Sequence, residues 1–386
     1  MNKPTGQAWK NWKRMRTRRR ESMGLSANPP DWATEWEEVT GFTEAKEQNA
    51  VQFLQSEVSR LKKNNLSNAV IREEIFKLAA TKANPPSWLT KKASPKAPGV
   101  PTIVLSDWHL PEVVDPEQIA GCNAYNRTIA QKRGKMCIDN TIEILKYHMV
   151  NPDYPGIVVA LAGDMVSGDI HQELKETNEV PTIASVVDLF QFLTGAIKKL
   201  ADEFGNVFLP CVSGNHSRTT MKPVSKMRAR TSYDWLLYTM LEKAFEGDER
   251  VQFAISEGPD QLFRVYNHTY LLTHGDQFRG GDGMIGFVGP LTRGDHKKRS
   301  RNGQIGMAYD TLICGHFHSL SQNDRVIVNG SLVGYSEYAY QGNFGFEEPK
   351  QALWLTHPER GITFHMPIFV DEPRKTQEET PWVSWK

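Results

Sequence analysis

The sequence has no uninterrupted apolar run close to the ~20 residues that a membrane-spanning helix needs, so we expect no membrane partner. No apolar core follows its basic N-terminus, so that segment does not resemble a secretory signal. Its four cysteines form no Cys-x-x-Cys pair, and Cys211 and Cys314 lie in apolar runs typical of small core residues. These absences predict a protein of the reducing cytoplasm.

The chain also has little net charge, since 46 Lys and Arg residues nearly balance 45 Asp and Glu residues. The balance hides an asymmetry. Residues 1–100 carry 18 basic and 10 acidic side chains, whereas residues 101–386 carry 28 basic and 35 acidic ones. A basic head on an acidic body predicts that the head contacts a polyanion, with a solvated basic tail as the alternative.

Composition divides the chain into three parts. Residues 1–99 predict a basic helical accessory region that ends in a Pro-rich linker, with candidate helices at 43–63 and 67–82. These two helices suit either a helix-turn-helix or a plain hairpin that packs on the next domain. Residues 100–372 predict a catalytic domain, and residues 373–386 a polar tail.

From residue 100 onward, short apolar runs end in polar residues. The five runs are Val100–Leu105, Ile157–Leu161, Val207–Val212, Tyr270–Leu272 and Thr311–Cys314. Helical patterns at 135–148 and 183–204 separate several of them. This alternation predicts an α/β fold with functional groups at the strand ends.

His316 and His318 follow the last of these runs. In an extended chain, residues i and i+2 point to the same side, so both imidazoles can reach one site. Two neutral imidazoles make half of a transition-metal site. Such a pair alone is more often two partly exposed histidines, so its meaning depends on the other strand ends.

The five strand ends together supply carboxylate, amide and imidazole side chains. They are Asp107, His109, Asp164, Asn215, His274, His316 and His318. A single Gly-Asp or Gly-Asn-His after a strand is usually a turn, because these residues favour turns. Five such ends, each after an apolar run, are hard to explain by turn chemistry alone.

The order Asp-x-His, Gly-Asp, Gly-Asn-His, His and Gly-His-x-His resembles the calcineurin-like metallophosphoesterase superfamily. The resemblance covers residues 100 to about 372. It implies a β-sandwich flanked by helices, with a dinuclear metal centre at the loops after the strands. In this chain a small N-terminal helical domain would precede that fold.

The resemblance also implies roles for individual residues. Asp107, His109 and His318 would hold the first metal, Asn215, His274 and His316 the second, and Asp164 would bridge both. Mixed imidazole, carboxylate and amide ligands suit two divalent transition metals, with Mn²⁺ favoured and Fe or Zn²⁺ as alternatives. Two such ions can activate a bridging water that attacks a phosphate.

His216 has no metal in this scheme. In the superfamily, the histidine of Gly-Asn-His faces the phosphate and the leaving oxygen. A protonated His216 could stabilise transition-state charge and donate a proton, so we predict catalytic roles for His216 and Asp164. The alternative for His216 is a hydrogen bond that supports the ligands.

The departures from the superfamily bear on substrate. Its Ser/Thr protein phosphatases carry Gly-Asp-x-Val-Asp-Arg-Gly, whereas residues 163–168 read Gly-Asp-Met-Val-Ser-Gly and lack the arginine. The pattern is closer to the nuclease and phosphodiesterase branches. Residues 167–173 also resemble uncharacterised phage proteins, which would place the protein in a host cytoplasm.

Two basic stretches follow ligand strands, at 218–230 and 279–301. We predict substrate contacts from six residues of these stretches and of the segment after Asp164, namely Arg218, His171, Arg279, Lys297, Lys298 and Arg299. The Gly-rich segment 280–294 predicts a flexible lid. The alternatives are two solvated loops and, for His171, a solvated helix start.

The sequence therefore predicts a dinuclear metal-dependent phosphodiesterase or nuclease with nucleic acid, DNA in particular, as its partner. The first alternative is a phosphomonoesterase or a phosphodiesterase for small nucleotides. The second is a DNA-binding regulator with an inactive phosphoesterase domain. A complete ligand set argues against the second alternative, because a degenerate site usually loses a ligand.

Overall fold

The computed structural model describes residues 85–91, 99–150, 152–279 and 286–372. The described part contains eleven strands, which are β1 (Val100–Leu105), β2 (Ile157–Leu161), β3 (Val207–Cys211), β4 (Val251–Ile255), β5 (Asp260–Val265), β6 (His268–Thr273), β7 (Thr311–Cys314), β8 (Ser321–Gln322), β9 (Val326–Val328), β10 (Lys350–His357) and β11 (Gly361–Phe369).

Helices separate many of these strands. The α-helices of the described part are α1 (Ser87–Thr90), α2 (Arg127–Glu143), α3 (Gln172–Thr177), α4 (Thr182–Phe204), α5 (Tyr233–Ala244), α6 (Val288–Gln304) and α7 (Glu337–Gln341). A π-helical turn, Ile144–His148, continues α2, and 3₁₀ turns lie at Pro116–Ile119 and Ala229–Thr231.

The strands form two sheets. The six-stranded sheet has the order β11-β10-β1-β2-β3-β4, and its β1 to β4 run parallel. The five-stranded sheet has the order β5-β6-β7-β9-β8, and its β6, β7 and β9 run parallel. Parallel neighbours bring their carboxyl ends to one edge of each sheet, which is where ligand sites form in α/β proteins.

The central strands are buried on both faces, which explains their continuous apolar runs. In β1, Val100 and Val104 face the apolar layer between the sheets, whereas Ile103 and Leu105 pack on the helical side. The helical side of the six-stranded sheet is covered by α2, α4 and α5, and α6 packs on the outer face of the five-stranded sheet. The predicted β-sandwich flanked by helices is therefore confirmed for the described residues.

Polar side chains also connect the two sheets. The Tyr270 hydroxyl of β6 lies 2.7 Å from the Thr356 hydroxyl of β10, and Trp354 Nε1 donates to the Tyr270 hydroxyl at 3.1 Å. All three residues are fully buried. Because buried polar groups need partners, these bonds fix how β6 lies against β10.

Three expectations from the sequence need comment. The helix predicted from residue 135 begins at Arg127, where the Asn126 side chain accepts from the Ile129 amide at 2.9 Å. The predicted lid at 280–294 is wrong for residues 288–294, which belong to α6. Gly294 lets that helix approach the Phe278 ring, which a side chain would overlap. The predicted accessory helices, basic run and C-terminal tail lie outside the described residues.

None of the helices that the structure describes has the length and apolar character needed to cross a membrane.

Leu272 tests the packing between the sheets. It is fully buried in the layer shared by β6 and the six-stranded sheet. We expect Leu272→Ala to lower the free energy of unfolding by about 2–5 kcal/mol, through lost burial and a residual cavity. Denaturant unfolding measures this, with Ile183→Ala on the exposed face of α4 as the control, expected within about 0.5 kcal/mol of wild type. Equal effects for the two variants would contradict the assigned packing.

Candidate metal centre

Six predicted ligands lie in two groups of three. Group one is Asp107, His109 and His318, and group two is Asp164, His274 and His316. Within each group the potential ligand atoms all lie within 4.8 Å of one another. Asn215 joins group two, because its Oδ1 lies 3.0 Å from His274 Nε2. The structure thus brings all seven predicted ligands to one region.

Each group takes its members from both sheets. The residues after β1, β2 and β3 of the six-stranded sheet are Asp107, His109, Asp164 and Asn215, and those after β6 and β7 of the five-stranded sheet are His274, His316 and His318. Parallel strands bring the members from each sheet to one edge of that sheet. Contacts between His274 and Asp164 and between His318 and Asp107 then join the two edges.

The ligand loops have an unusual backbone. Nine non-glycine residues of the described part have a positive φ, and five of them are predicted ligands: Asp107, His109, Asp164, His316 and His318. This conformation costs of order 1–3 kcal/mol per residue and tends to occur at functional sites. The premise of an extended backbone at His316 and His318 is therefore wrong, since their φ values are 70° and 53°. Their membership of different groups agrees with the roles that the resemblance implied.

Two motif glycines leave room for the carboxylates. A side chain at Gly214 would overlap the carboxylate of Asp164, and one at Gly315 would overlap that of Asp107. The site therefore requires a residue without a side chain before Asn215 and before His316. These glycines do more than allow a turn.

In group two, three acceptor atoms converge. The Nδ1 of His274 lies 2.8 Å from the carbonyl of Ala162, to which it donates, so a neutral ring presents a lone pair at Nε2. That nitrogen lies 2.9 Å from Asp164 Oδ2 and 3.0 Å from Asn215 Oδ1. Three lone pairs facing one another are unfavourable unless a positive charge lies among them. The donor set therefore fits a cation.

The candidate ligand atoms of group one lie about as close together as those of group two. Nε2 of His109 and Nε2 of His318 lie 3.1 Å apart, and the latter lies 3.5 Å from Asp107 Oδ1. Ligands bound to one ion at roughly 2.1 Å lie about 3.0–3.4 Å apart, so the spacing suits a shared ion. The remaining nitrogen of His109, Nδ1, is buried and lies 3.6 Å from Glu112 Oε2. A carboxylate there can orient the ring.

The protonation preferences also indicate a need for positive charge. Burial opposes protonation of His274, but the Asp164 carboxylate outweighs it and raises the pKa of His274 to about 10. Against the same effect of burial, Asp107 raises the pKa of His318. By contrast, the pKa of His316 is lowered to about 4, mainly by burial and next by the positive charge of His274. In each group, therefore, the carboxylate favours the protonated form of a neighbouring histidine, and a bound metal ion would take the place of that proton.

Asp164 connects the two groups. Its carbonyl accepts hydrogen bonds from the Trp108 and His109 amides at 3.0 and 3.1 Å, on the loop of group one. Its carboxylate belongs to group two, and its Oδ1 accepts from the His216 amide at 2.7 Å. This position agrees with the predicted bridging role, which remains a prediction.

His216 lies beside the ligands without belonging to either group. Its ring centre lies 4.6 Å from that of His109 and 5.6 Å from that of His171. The Nδ1 of His216 donates to the Ser167 carbonyl at 3.1 Å, which leaves Nε2 for another partner. Burial lowers the pKa of His216, although the Asp164 carboxylate opposes this.

The predicted substrate-binding residues differ in how exposed their side chains are. His171, Arg279 and Lys297 are exposed, so their side chains are accessible. Arg218 is partly buried and donates to the Asn215 carbonyl at 2.6 Å and to the Thr220 carbonyl at 3.0 Å. It therefore braces the loop that carries Asn215 and His216.

The contacts of Lys298 and Arg299 do not support the predicted substrate role. Lys298 is buried on α6 and pairs with Asp260 at 2.5 Å, and Arg299 pairs with Asp295 at 2.9 Å. The prediction assumed that residues 296–301 form an open basic stretch. Because this stretch is helical, its side chains point in different directions. Those of Lys298 and Arg299 turn toward their acidic partners.

Sequence reasoning missed two residues that shape the site. Asp234 of α5 is fully buried and accepts hydrogen bonds from the amides of Asp164 and Gly214, both at 2.9 Å. Arg228 forms a two-pronged ion pair with Asp276, with both distances 2.9 Å, and so joins the loops after β3 and β6. Nothing near Asp234 in the sequence indicated this role. Arg228 lies in the basic stretch 218–230, but that pattern does not indicate its ion pair with Asp276.

No protein-family model and no curated protein matches the chain. It resembles the structure of Vps29 complexed with Zn²⁺ from Entamoeba histolytica at 12% identity and a TM-score of 0.30, covering 70% of this chain and 99% of that one. It also resembles a predicted phosphoesterase from Streptococcus pneumoniae at 11% identity and a TM-score of 0.26, covering 69% and 97% of the two chains.

A third similar structure is vacuolar protein sorting 29 from Cryptosporidium parvum. The identity is 14%, the TM-score is 0.27, and the match covers 66% of this chain and 84% of that one. Similarities of this size assign neither a family nor a function to the chain.

The role of Asp164 can be tested by substitution. We expect Asp164→Asn to lose at least one bound metal, because the amide keeps the shape but removes the negative charge of group two. Metal analysis of the purified variant measures this, with Asp188→Asn on α4 as the control. Full metal content in this variant would contradict the bridging role.

Proposed function

We propose that the chain is a dinuclear metal-dependent phosphoesterase, most consistent with a phosphodiesterase that acts on nucleic acid. The observation that carries this proposal is the convergence of group one and group two around Asp164, with His216 beside them. A phosphate needs positive charge on its oxygens and a proton for its leaving group. This arrangement has residues for both tasks.

The donor set favours transition metals. Imidazole nitrogens outnumber carboxylates in both groups, which suits Mn²⁺, Fe or Zn²⁺ better than Mg²⁺ or Ca²⁺. Two such ions, when bound, would activate water and neutralise the phosphate charge. We propose Mn²⁺ as the preferred ion.

His216 would act on the leaving group. Its Nδ1 is held by the Ser167 carbonyl, so Nε2 is the nitrogen available to substrate. Burial disfavours its protonated form, but a bound phosphate anion would restore the balance, since a nearby negative charge raises the pKa of an imidazole. The protonated ring could then donate to the departing oxygen.

Cationic side chains near the ligands support a diester substrate. Lys222 and Lys226 are exposed on the loop that Arg218 braces, and Arg279 is exposed after His274. A flanking phosphate of a strand could contact such residues. The predicted preference for DNA also draws on the basic residues 1–30, which lie outside the described residues.

Exposed aromatic rings provide a second reason to favour nucleic acid. Tyr338 is 78% exposed and Phe344 45% exposed, with ring centres 5.8 Å apart. Contacts to the ligand loops flank this segment: the Leu332 amide donates to the Asp107 carbonyl, and the Leu320 amide to Glu347 Oε1, both at 3.0 Å. Unpaired bases stack on such rings.

Substrate class can be tested directly with Mn²⁺-loaded protein. We expect faster hydrolysis of bis-p-nitrophenyl phosphate than of p-nitrophenyl phosphate, and cleavage of single-stranded DNA or RNA. Initial rates across this panel measure the preference, with metal-chelated protein as the control. A strong preference for the monoester would instead favour a phosphomonoesterase.

His216→Gln separates catalysis from metal binding. We expect both metals to remain, because His216 belongs to neither group, while kcat falls about 10²–10⁴-fold through loss of the proton donor. Metal analysis and single-turnover rates together measure this. A loss of metal comparable to that in Asp164→Asn would show that His216 supports the ligands instead.

A further inference from the structure

Asp107 directs one carboxylate oxygen toward the other members of group one and turns its second oxygen away from them. Its Oδ1 accepts from the His316 amide at 3.0 Å and faces His318 Nε2 at 3.5 Å. Its Oδ2 accepts a hydrogen bond from the Ser106 hydroxyl and lies against Gly315, so close that a side chain there would overlap it. An ion in group one can therefore reach only Oδ1.

The direction of the Ser106 hydroxyl is fixed by Asn329. The Nδ2 of Asn329 donates to Ser106 Oγ at 2.8 Å, so the serine proton must point to another acceptor. That acceptor is Oδ2 of Asp107. The amide, the hydroxyl and the carboxylate thus form a directional chain of hydrogen bonds.

The orientation of Asn329 is fixed in turn by β10. Its Oδ1 accepts from the Ala352 amide at 2.8 Å, which turns its Nδ2 toward Ser106. The same Nδ2 donates to Gln351 Oε1 at 3.1 Å, and that oxygen also accepts from the Ser106 amide at 3.0 Å. Ser106, Asn329 and Gln351 are fully buried, so water cannot substitute for a lost partner.

We propose that Ser106 and Asn329 are positioning residues that hold Asp107 as a ligand through one oxygen and so bias group one against Ca²⁺. Calcium takes six to eight oxygen ligands and often uses both oxygens of a carboxylate. A carboxylate restricted to one oxygen, beside two imidazoles, suits ions of lower coordination number. The hydrogen-bond chain is thus a selectivity device behind the ligand.

This inference rests on the metal binding in the proposed function and is independent of the substrate. If wild-type protein binds no divalent ion, the proposed function fails first. If wild-type protein binds ions and the variants below behave like it, only the positioning role fails.

Ser106→Ala is the main test, with titration calorimetry of metal-free protein against Mn²⁺ and Ca²⁺. Without the hydroxyl, Oδ2 loses its hydrogen bond and the carboxylate can rotate to offer both oxygens. We expect the ratio of Mn²⁺ to Ca²⁺ affinity in one binding step to fall about tenfold, within the range of such supporting contacts, while the other step is unchanged. Ser185→Ala is the matched control, because Ser185 is equally buried but lies on α4.

Asn329→Asp is the second variant. It keeps an oxygen for the Ala352 amide but replaces the donor to Ser106 by an acceptor that competes for the serine proton. We expect the same change in selectivity as in Ser106→Ala, together with a near-wild-type circular dichroism spectrum.

Two results would overturn the inference. One is an unchanged affinity ratio in Ser106→Ala. The other is an equal loss of both ions in both binding steps, which would indicate that the hydroxyl only supports the fold.

Discussion

The contacts of Asp164 hold the candidate metal centre together. Its amide donates to buried Asp234, its carbonyl accepts from the loop of group one, and its carboxylate lies in group two next to the His216 amide. One residue thus fixes the relative position of three ligand loops. A buried carboxylate in such a setting needs positive charge around it, and the surrounding imidazoles supply it only in part.

Much of the fold and of the site could be predicted because both depend on strand ends. Apolar runs such as Val100–Leu105 and Thr311–Cys314 are buried on both faces, so their composition alone marks them as central strands. Within each sheet, parallel strands bring the polar residues after them to one edge. Which residues meet across the two sheets was implied by the resemblance, and this is how Asp107 and His318, 211 positions apart in the chain, could be predicted to lie together.

The rest could not be predicted, because it depends on side-chain direction and long-range partners. Lys298 belongs to a basic run, but only the helical backbone of α6 and the position of Asp260 turn it inward. Asp234 lies in an ordinary amphipathic helix, and its role follows from the loops that happen to pack above it. The left-handed backbone at His316 likewise reflects tertiary constraint, since histidine does not by itself require it.

Each group contains residues from both sheets, and this has a thermodynamic consequence. Ions bound there would act as cross-links between the two layers of the sandwich, much as a disulfide joins two segments of chain. Separating the layers would then require releasing the ions, so folding and metal occupancy become linked equilibria. Each site filled at one hundred times its Kd would add about 2.7 kcal/mol to the free energy of unfolding. The candidate metal centre would thereby also stabilise the two-sheet architecture that builds it.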